Sequence, residues 1–152
     1  GADVILVTCS SIGVAIETAA TLCTVPVIRV DQAMADEAVQ ISDKIGVIAT
    51  LPTTLEPTSD LVRRRALVAE KNVTIVSKLC EGAFEALMSG DAAKHDEMVA
   101  KALKELMQEV GVIVLAQASM ARVVDGLSDA EKVVPILASP GIAMKKLAEI
   151  YF

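Results

Sequence analysis

Aromatic residues are almost missing from this chain: no tryptophan, one tyrosine and two phenylalanines among 152 residues. Hydrophobic residues nevertheless make up 53% and mean hydropathy is +0.54, so the core must be assembled from valine, isoleucine, leucine, alanine and methionine. Aliphatic side chains of this kind suit helices laid over a sheet that is buried on both faces. Histidine occurs once, at His95, which excludes a histidine-based metal site. The three cysteines, Cys9, Cys23 and Cys80, are odd in number, widely spaced and without a C-x-x-C pair. Disulfides and zinc are therefore not expected, and a reducing cytoplasmic setting is. Positive charge is in the minority. A net charge of -6 and a pI near 4.8, with no basic stripe to neutralise phosphates, argue against nucleic acid as a partner. No apolar run reaches the ~18 residues that a bilayer span requires, and no signal peptide is visible, so no membrane partner is expected. The length accommodates one domain with a real core. An apolar strand begins within three residues of Gly1, which reads as a chain lacking part of its N-terminal side.

What is present is a regular alternation. Short apolar runs at 4–7, 25–30, 46–50, 73–77, 112–115 and 133–138 read as buried strands. Between them lie helical stretches to about Leu22, from Asp31 to about Lys44, from Pro57 to about Glu70, from Glu81 to Met88, from Asp91 to about Glu109, and from Ser139 to the end. Asp31 is placed as the cap of the second helix and Pro57 in the first turn of the third. Strands and helices joined by short links predict an α/β fold: a parallel sheet flanked by helices on both faces.

Small and hydroxyl-bearing residues gather where these strands end: Thr8, Cys9, Ser10 and Ser11; Thr50 with Thr53 and Thr54; Gln117 with Ser119; and Ser139. In an open parallel sheet, ligands bind beyond the carboxyl ends of the strands, where helix N-termini also present free N–H groups. Hydroxyl donors added to that crevice suit an anion, most simply a carboxylate. Any one of these residues is equally well a helix cap; their recurrence at four strand ends favours a binding role. Cys9 is the sharpest candidate. It falls at the junction of a strand and a helix start, a setting in which a cysteine serves as base or nucleophile. Cys23 and Cys80 read as buried structural cysteines, His95 as a solvated residue on a polar helix face, and Arg63, Arg64 and Arg65 as a solvated face or a subunit contact. The methionines, Met120 and Met144 included, read as packing.

Three segments together resemble the aspartate/glutamate/hydantoin racemase superfamily. Residues 1–11, ending Val7-Thr8-Cys9-Ser10-Ser11, look like its first catalytic-cysteine segment. Gly46-Val47-Ile48-Ala49-Thr50 with Thr53 looks like its central strand and threonine loop. Residues 112–120, with Gln117 and Ser119, look like its second catalytic segment. Gly82-Ala83, Gly90-Asp91 and His95 echo it as well, and order and spacing carry the likeness over nearly the whole chain. The resemblance implies two pseudo-symmetric α/β subdomains, with residues 1–44 remaining from the first, 45–115 forming the second and 116–152 returning to the first. It implies no metal and no organic cofactor. It also implies that two cysteines work on opposite sides of a substrate Cα while hydroxyls, here Thr8, Ser10, Ser11, Thr50, Thr53 and Ser119, hold the carboxylate. Two departures stand out. The second cysteine position holds Gln117, which cannot exchange a proton near neutral pH. Two βα units that precede the first cysteine in the family are missing. The expected function is cofactor-independent, isomerase-like chemistry on a small carboxylate through Cys9, with Gln117 opposite it. The alternatives are a lyase using one cysteine and a catalytically silent carboxylate-binding protein. A homodimer is expected from the apolar composition.

Overall fold

The computed structural model describes residues 1–151. Six strands appear in chain order: β1 (Ile5–Val7), β2 (Val27–Arg29), β3 (Lys44–Ala49), β4 (Thr74–Leu79), β5 (Val112–Leu115) and β6 (Ile136–Ala138). Seven α-helices accompany them: α1 (Gly13–Ala20), α2 (Gln32–Ile41), α3 (Pro52–Val68), α4 (Ala83–Met88), α5 (Ala92–Leu106), α6 (Ala121–Asp125) and α7 (Ser139–Tyr151). The α/β expectation holds, and every strand pairing is parallel. The strands divide between two sheets. β1 pairs with β2 alone, while the larger sheet runs β4-β3-β5-β6.

Alternation along β3 and β5 sorts their side chains between two cores. Ile45, Val47, Ala49, Val112 and Val114 face α2 and α3, with Met34, Ala38, Leu61 and Val62 opposite. Ile48, Ile113 and Leu115 face the other way, onto Val99, Leu103 and Leu106 of α5. Both strands are buried along almost their full length, as their unbroken apolar runs require. Gly46 is part of this packing: a Cβ there would come within 2.8 Å of the Leu106 side chain, so α5 sits as close to β3 as a bare backbone allows.

The order of the larger sheet creates a crevice. From β3 the chain moves outward to β4 on one side, while β5 lies on the other. α3, which leaves β3, packs on one face, and the segment leaving β5 packs Met120 and Val123 on the opposite face. The carboxyl ends of β3 and β5 are thus a switch point, where open α/β sheets form ligand crevices. No helix among the described residues is long and apolar enough to cross a membrane.

Several expectations are corrected. α3 begins at Pro52, not Pro57. Pro52 supplies the first helical position, the Thr54 hydroxyl donates to the Leu51 carbonyl, and Pro57 lies inside the helix. Asp31 occupies the cap position of α2 but makes no cap bond; its carboxylate is taken by the buried Arg29 guanidinium, at 2.9 and 2.8 Å. A buried guanidinium left without a counter-charge costs far more than an uncapped helix N-terminus. Cys23 is exposed, not buried. His95, expected at the surface, is fully buried. Arg64 and Arg65 do not form a free solvated face: Arg64 pairs with Glu17 and Asp60, and Arg65 with Asp36.

Candidate active site

β1 ends at Val7, and Thr8, Cys9, Ser10 and Ser11 follow directly. Cys9 has extended backbone and precedes a single 3-10 turn, Ser10–Ile12; α1 begins only at Gly13. The helix start expected beside Cys9 is therefore displaced by one turn. At Gly13 the helix is packed so closely that any Cβ would fall inside the Arg29 guanidinium. Arg29 is 3% exposed and donates to Asp31 and Glu17, so its position is fixed and the chain above it must approach as glycine. This packing seats α1 on β2, and the Ser10–Ile12 turn before it lies against α3.

On the larger sheet, Thr50 follows β3 and Gln117 follows β5. The β3–β5 ladder continues as far as the Ala116 N–H donating to the Ile48 carbonyl at 3.0 Å. At the next position a side chain takes over: the Thr50 N–H donates to Gln117 Oε1 at 2.6 Å, and the Thr50 hydroxyl donates to the same oxygen at 3.0 Å. Ser139, opening α7 after β6, is buried nearby.

These pieces meet in one depression of about 410 Å³, lined by Thr8, Cys9, Ser10, Ser11, Thr54, Gln117, Ser119, Ser139 and Met144 among others. Cys9 and Gln117 are brought together although they ride on different sheets. Thr50 touches the site through Gln117. Thr53 is exposed on the first turn of α3 and does not line the depression; Thr54, one residue on, does. Met144, read from the sequence as packing, is more than half exposed and lines the rim. A larger groove of about 560 Å³ runs between α2, α3 and α7, lined by Ile28, Arg65, Ile142 and Ile150 among others. It holds none of the candidate residues, so chemistry rather than volume selects the smaller depression.

Cys9 is exposed, whereas Cys80 is buried and burial pushes its thiol up to about 11, against a smaller opposing pull from Lys78. Cys80 therefore stays protonated and unreactive at neutral pH, as the sequence reading has it. His95 lies outside the depression. Its Nδ1 faces Asp96 at 2.8 Å, Asp96 also accepts from Arg122, and Nε2 is buried without a partner. The signal for its burial was in the sequence: positions 95, 99, 102, 103 and 106 share one helical face, and the last four are apolar.

The family model described as Asp/Glu/Hydantoin racemase matches residues 1–147. No curated protein sequence matches the chain. Among solved structures it is similar to a glutamate racemase from Bacillus anthracis, with a TM-score of 0.75 and 20% identity over 97% of this chain and 57% of that one. It is similar to an allantoin racemase from Klebsiella pneumoniae, with a TM-score of 0.72 and 21% identity over 99% of this chain and 60% of that one. An aspartate racemase homologue from Pyrococcus horikoshii gives a TM-score of 0.70 and 19% identity over 99% and 67%. At these identities the likeness establishes the fold. The chain spans less than two thirds of the length of the first two.

Proposed function

Because the chain belongs to the Asp/Glu/hydantoin racemase family, we propose that it acts on a small carboxylate, an amino acid or a related acid, by isomerase-type chemistry in which Cys9 handles the proton. The observation that carries this reading is the shared depression: an exposed cysteine, hydroxyls on both sides of it and Gln117 all border one small cavity at the switch point of the sheet. The hydroxyls of Ser10, Ser11 and Ser119 hold the substrate carboxylate. Cys9 Sγ takes the proton from the neighbouring carbon, and the electron pair left behind delocalises into the carboxylate. Returned by the same sulfur, the proton restores the starting configuration; inversion requires that water protonate the opposite face, since Gln117 cannot. No metal or organic cofactor is called upon in this scheme.

A second reading is favoured by Gln117. A carboxamide cannot relay a proton, so a reaction that protonates one face only is the natural use of a single thiol. In a decarboxylation, the bond to the departing carboxyl group breaks, carbon dioxide leaves, the electron pair stays on carbon, and Cys9 delivers the proton there. Exposed apolar side chains such as Leu22 and Leu67 support association of two copies of the chain.

The test is incubation of the protein with each enantiomer of aspartate and glutamate, and with substituted malonates, in D₂O. Cα deuteration, optical rotation and carbon dioxide release are followed together. Exchange with retained configuration, or release with one-sided deuteration, supports chemistry centred on Cys9. Cys9→Ser should lower that rate by about 10²–10⁴-fold, the usual worth of one positioned acid or base. No Cys9-dependent reaction with any of these acids would leave a silent binding protein. Racemisation that persists unchanged in Cys9→Ser would refute the role of Cys9.

A further inference from the structure

We propose that Thr50 is a positioning residue: it holds the Gln117 carboxamide so that the wall shared with Cys9 offers a hydrogen-bond donor to an oxygen of the bound carboxylate. This rests on the reading of Cys9 as the working group of a carboxylate site. The orientation follows from hydrogen-bond chemistry. A backbone N–H can only donate, so the Gln117 atom 2.6 Å from the Thr50 nitrogen must be the oxygen. The Thr50 hydroxyl, 3.0 Å from the same atom, must donate to it too, since a carboxamide oxygen carries no hydrogen. Both contacts fall on Oε1, and the amide nitrogen lies at the other branch of the same planar group. Nε2 has no protein partner among the described residues and is not a buried, unpaired atom, although the residue is itself only half-exposed. Its two hydrogens are therefore the free end of a residue that lines the depression. If the amide were free to rotate, that end would be donor and acceptor by turns; clamped, it is a donor only.

The consequence is a specificity rule. The wall formed by Gln117 accepts a carboxylate oxygen, or the oxyanion that forms when the neighbouring carbon gives up its proton. It disfavours a ligand that presents an N–H or an ammonium there. The clamp also explains how a residue unable to exchange protons fits a site of this kind: it stabilises charge instead of moving hydrogen.

The experiment compares two alkylating reagents of equal size, iodoacetate and iodoacetamide, on the folded protein at neutral pH. In both, the Cys9 sulfur attacks the methylene carbon and iodide leaves; only iodoacetate carries a carboxylate. Exposed Cys23 in the same chain is the internal reference, and mass spectrometry reads each site. The ratio of iodoacetate to iodoacetamide rates at Cys9, divided by that at Cys23, is expected to be about tenfold in favour of the carboxylate. Gln117→Glu keeps the acceptor for Thr50 but turns the free end into an oxygen, and should drive the ratio below one. Thr50→Val removes the hydroxyl but leaves the backbone N–H, and should lose part of the preference. Thr50→Ser should keep it. A ratio near one in the unaltered protein, or a preference unchanged in Thr50→Val, overturns the proposal. If Cys9 shows the preference while no Cys9-dependent reaction is found in D₂O, the function fails and the donor wall stands. If that reaction is found and the preference is absent, the reverse holds.

Discussion

His95 and Asp96 show how far one residue's neighbours decide its worth. His95 is sealed into the α5 core with Nε2 unpaired, and Asp96 accepts both from it and from Arg122. Hydrogen bonds from His95 and then Arg122, against a little burial, hold the Asp96 carboxyl below its ordinary range. Removing Asp96 leaves a second buried nitrogen of His95 unpaired, whereas replacing the ring by an apolar side chain of similar bulk removes both polar atoms at once. Asp96→Ala is therefore expected to destabilise by about 1–3 kcal/mol and His95→Leu by less than about 1 kcal/mol. Urea unfolding midpoints of the two variants check the order. The same residue marks a limit of the sequence reading, which put it on a polar face: its chain neighbours Lys94 and Asp96 are charged, but helical spacing sets it on the apolar side. The strand-end positions of Cys9 and Gln117 were legible because strand ends are easy to find. The Thr50 clamp was not, since a partner 67 positions away leaves no local trace.

At the level of elements, alternation and apolar runs gave the strands, the helices and the parallel class. They did not show that β1 and β2 stand apart from the other four. Strand runs of equal hydrophobicity carry no label for the sheet they join, and the division follows from which edges pair. Helix starts were read from single residues, and at α2 the competition between partners decided: Asp31 serves Arg29 instead of capping the helix, while α1 begins only at Gly13. Gly13→Ala would thrust a methyl group into a buried guanidinium held by Asp31 and Glu17. A loss of about 3–5 kcal/mol is expected, the range for breaking a buried ion pair. Calorimetry or urea titration measures it, and Gly13→Ala at full stability would mean that the Arg29 cavity is looser than described.

The molecule as a whole joins its two sheets through α2, which follows β2 and buries Met34, Ala35, Ala38 and Val39 in the core of the larger sheet. A chain of charges adds a second tie: Asp31, Arg29, Glu17, Arg64 and Asp60 in sequence of contact. Its two ends differ. Arg29 and Asp31 are 3% and 2% exposed, whereas Arg64 and Glu17 are 38% and 35% exposed. Water and salt reach the second contact and not the first. Burial works against ionisation of Glu17, but hydrogen bonds from Arg64 and Arg29 outweigh it and hold the carboxyl below its ordinary value of 4.5. The stability it confers is accordingly present above about pH 4.5 and fades as acid protonates it. In a double-mutant cycle, the coupling between Glu17 and Arg64 should fall toward zero between about 0.05 and 1 M salt, while that between Arg29 and Asp31 persists; equal salt sensitivity of both would contradict the difference in burial. The inner pair lies within the β2–α2 segment, and the contact from Glu17 to Arg64 is the one that runs from α1 to α3. Cys9 precedes α1, which carries Glu17, and Arg64 lies on α3, which follows β3; the tie between the two sides of the depression is therefore the contact that ions in solution can reach.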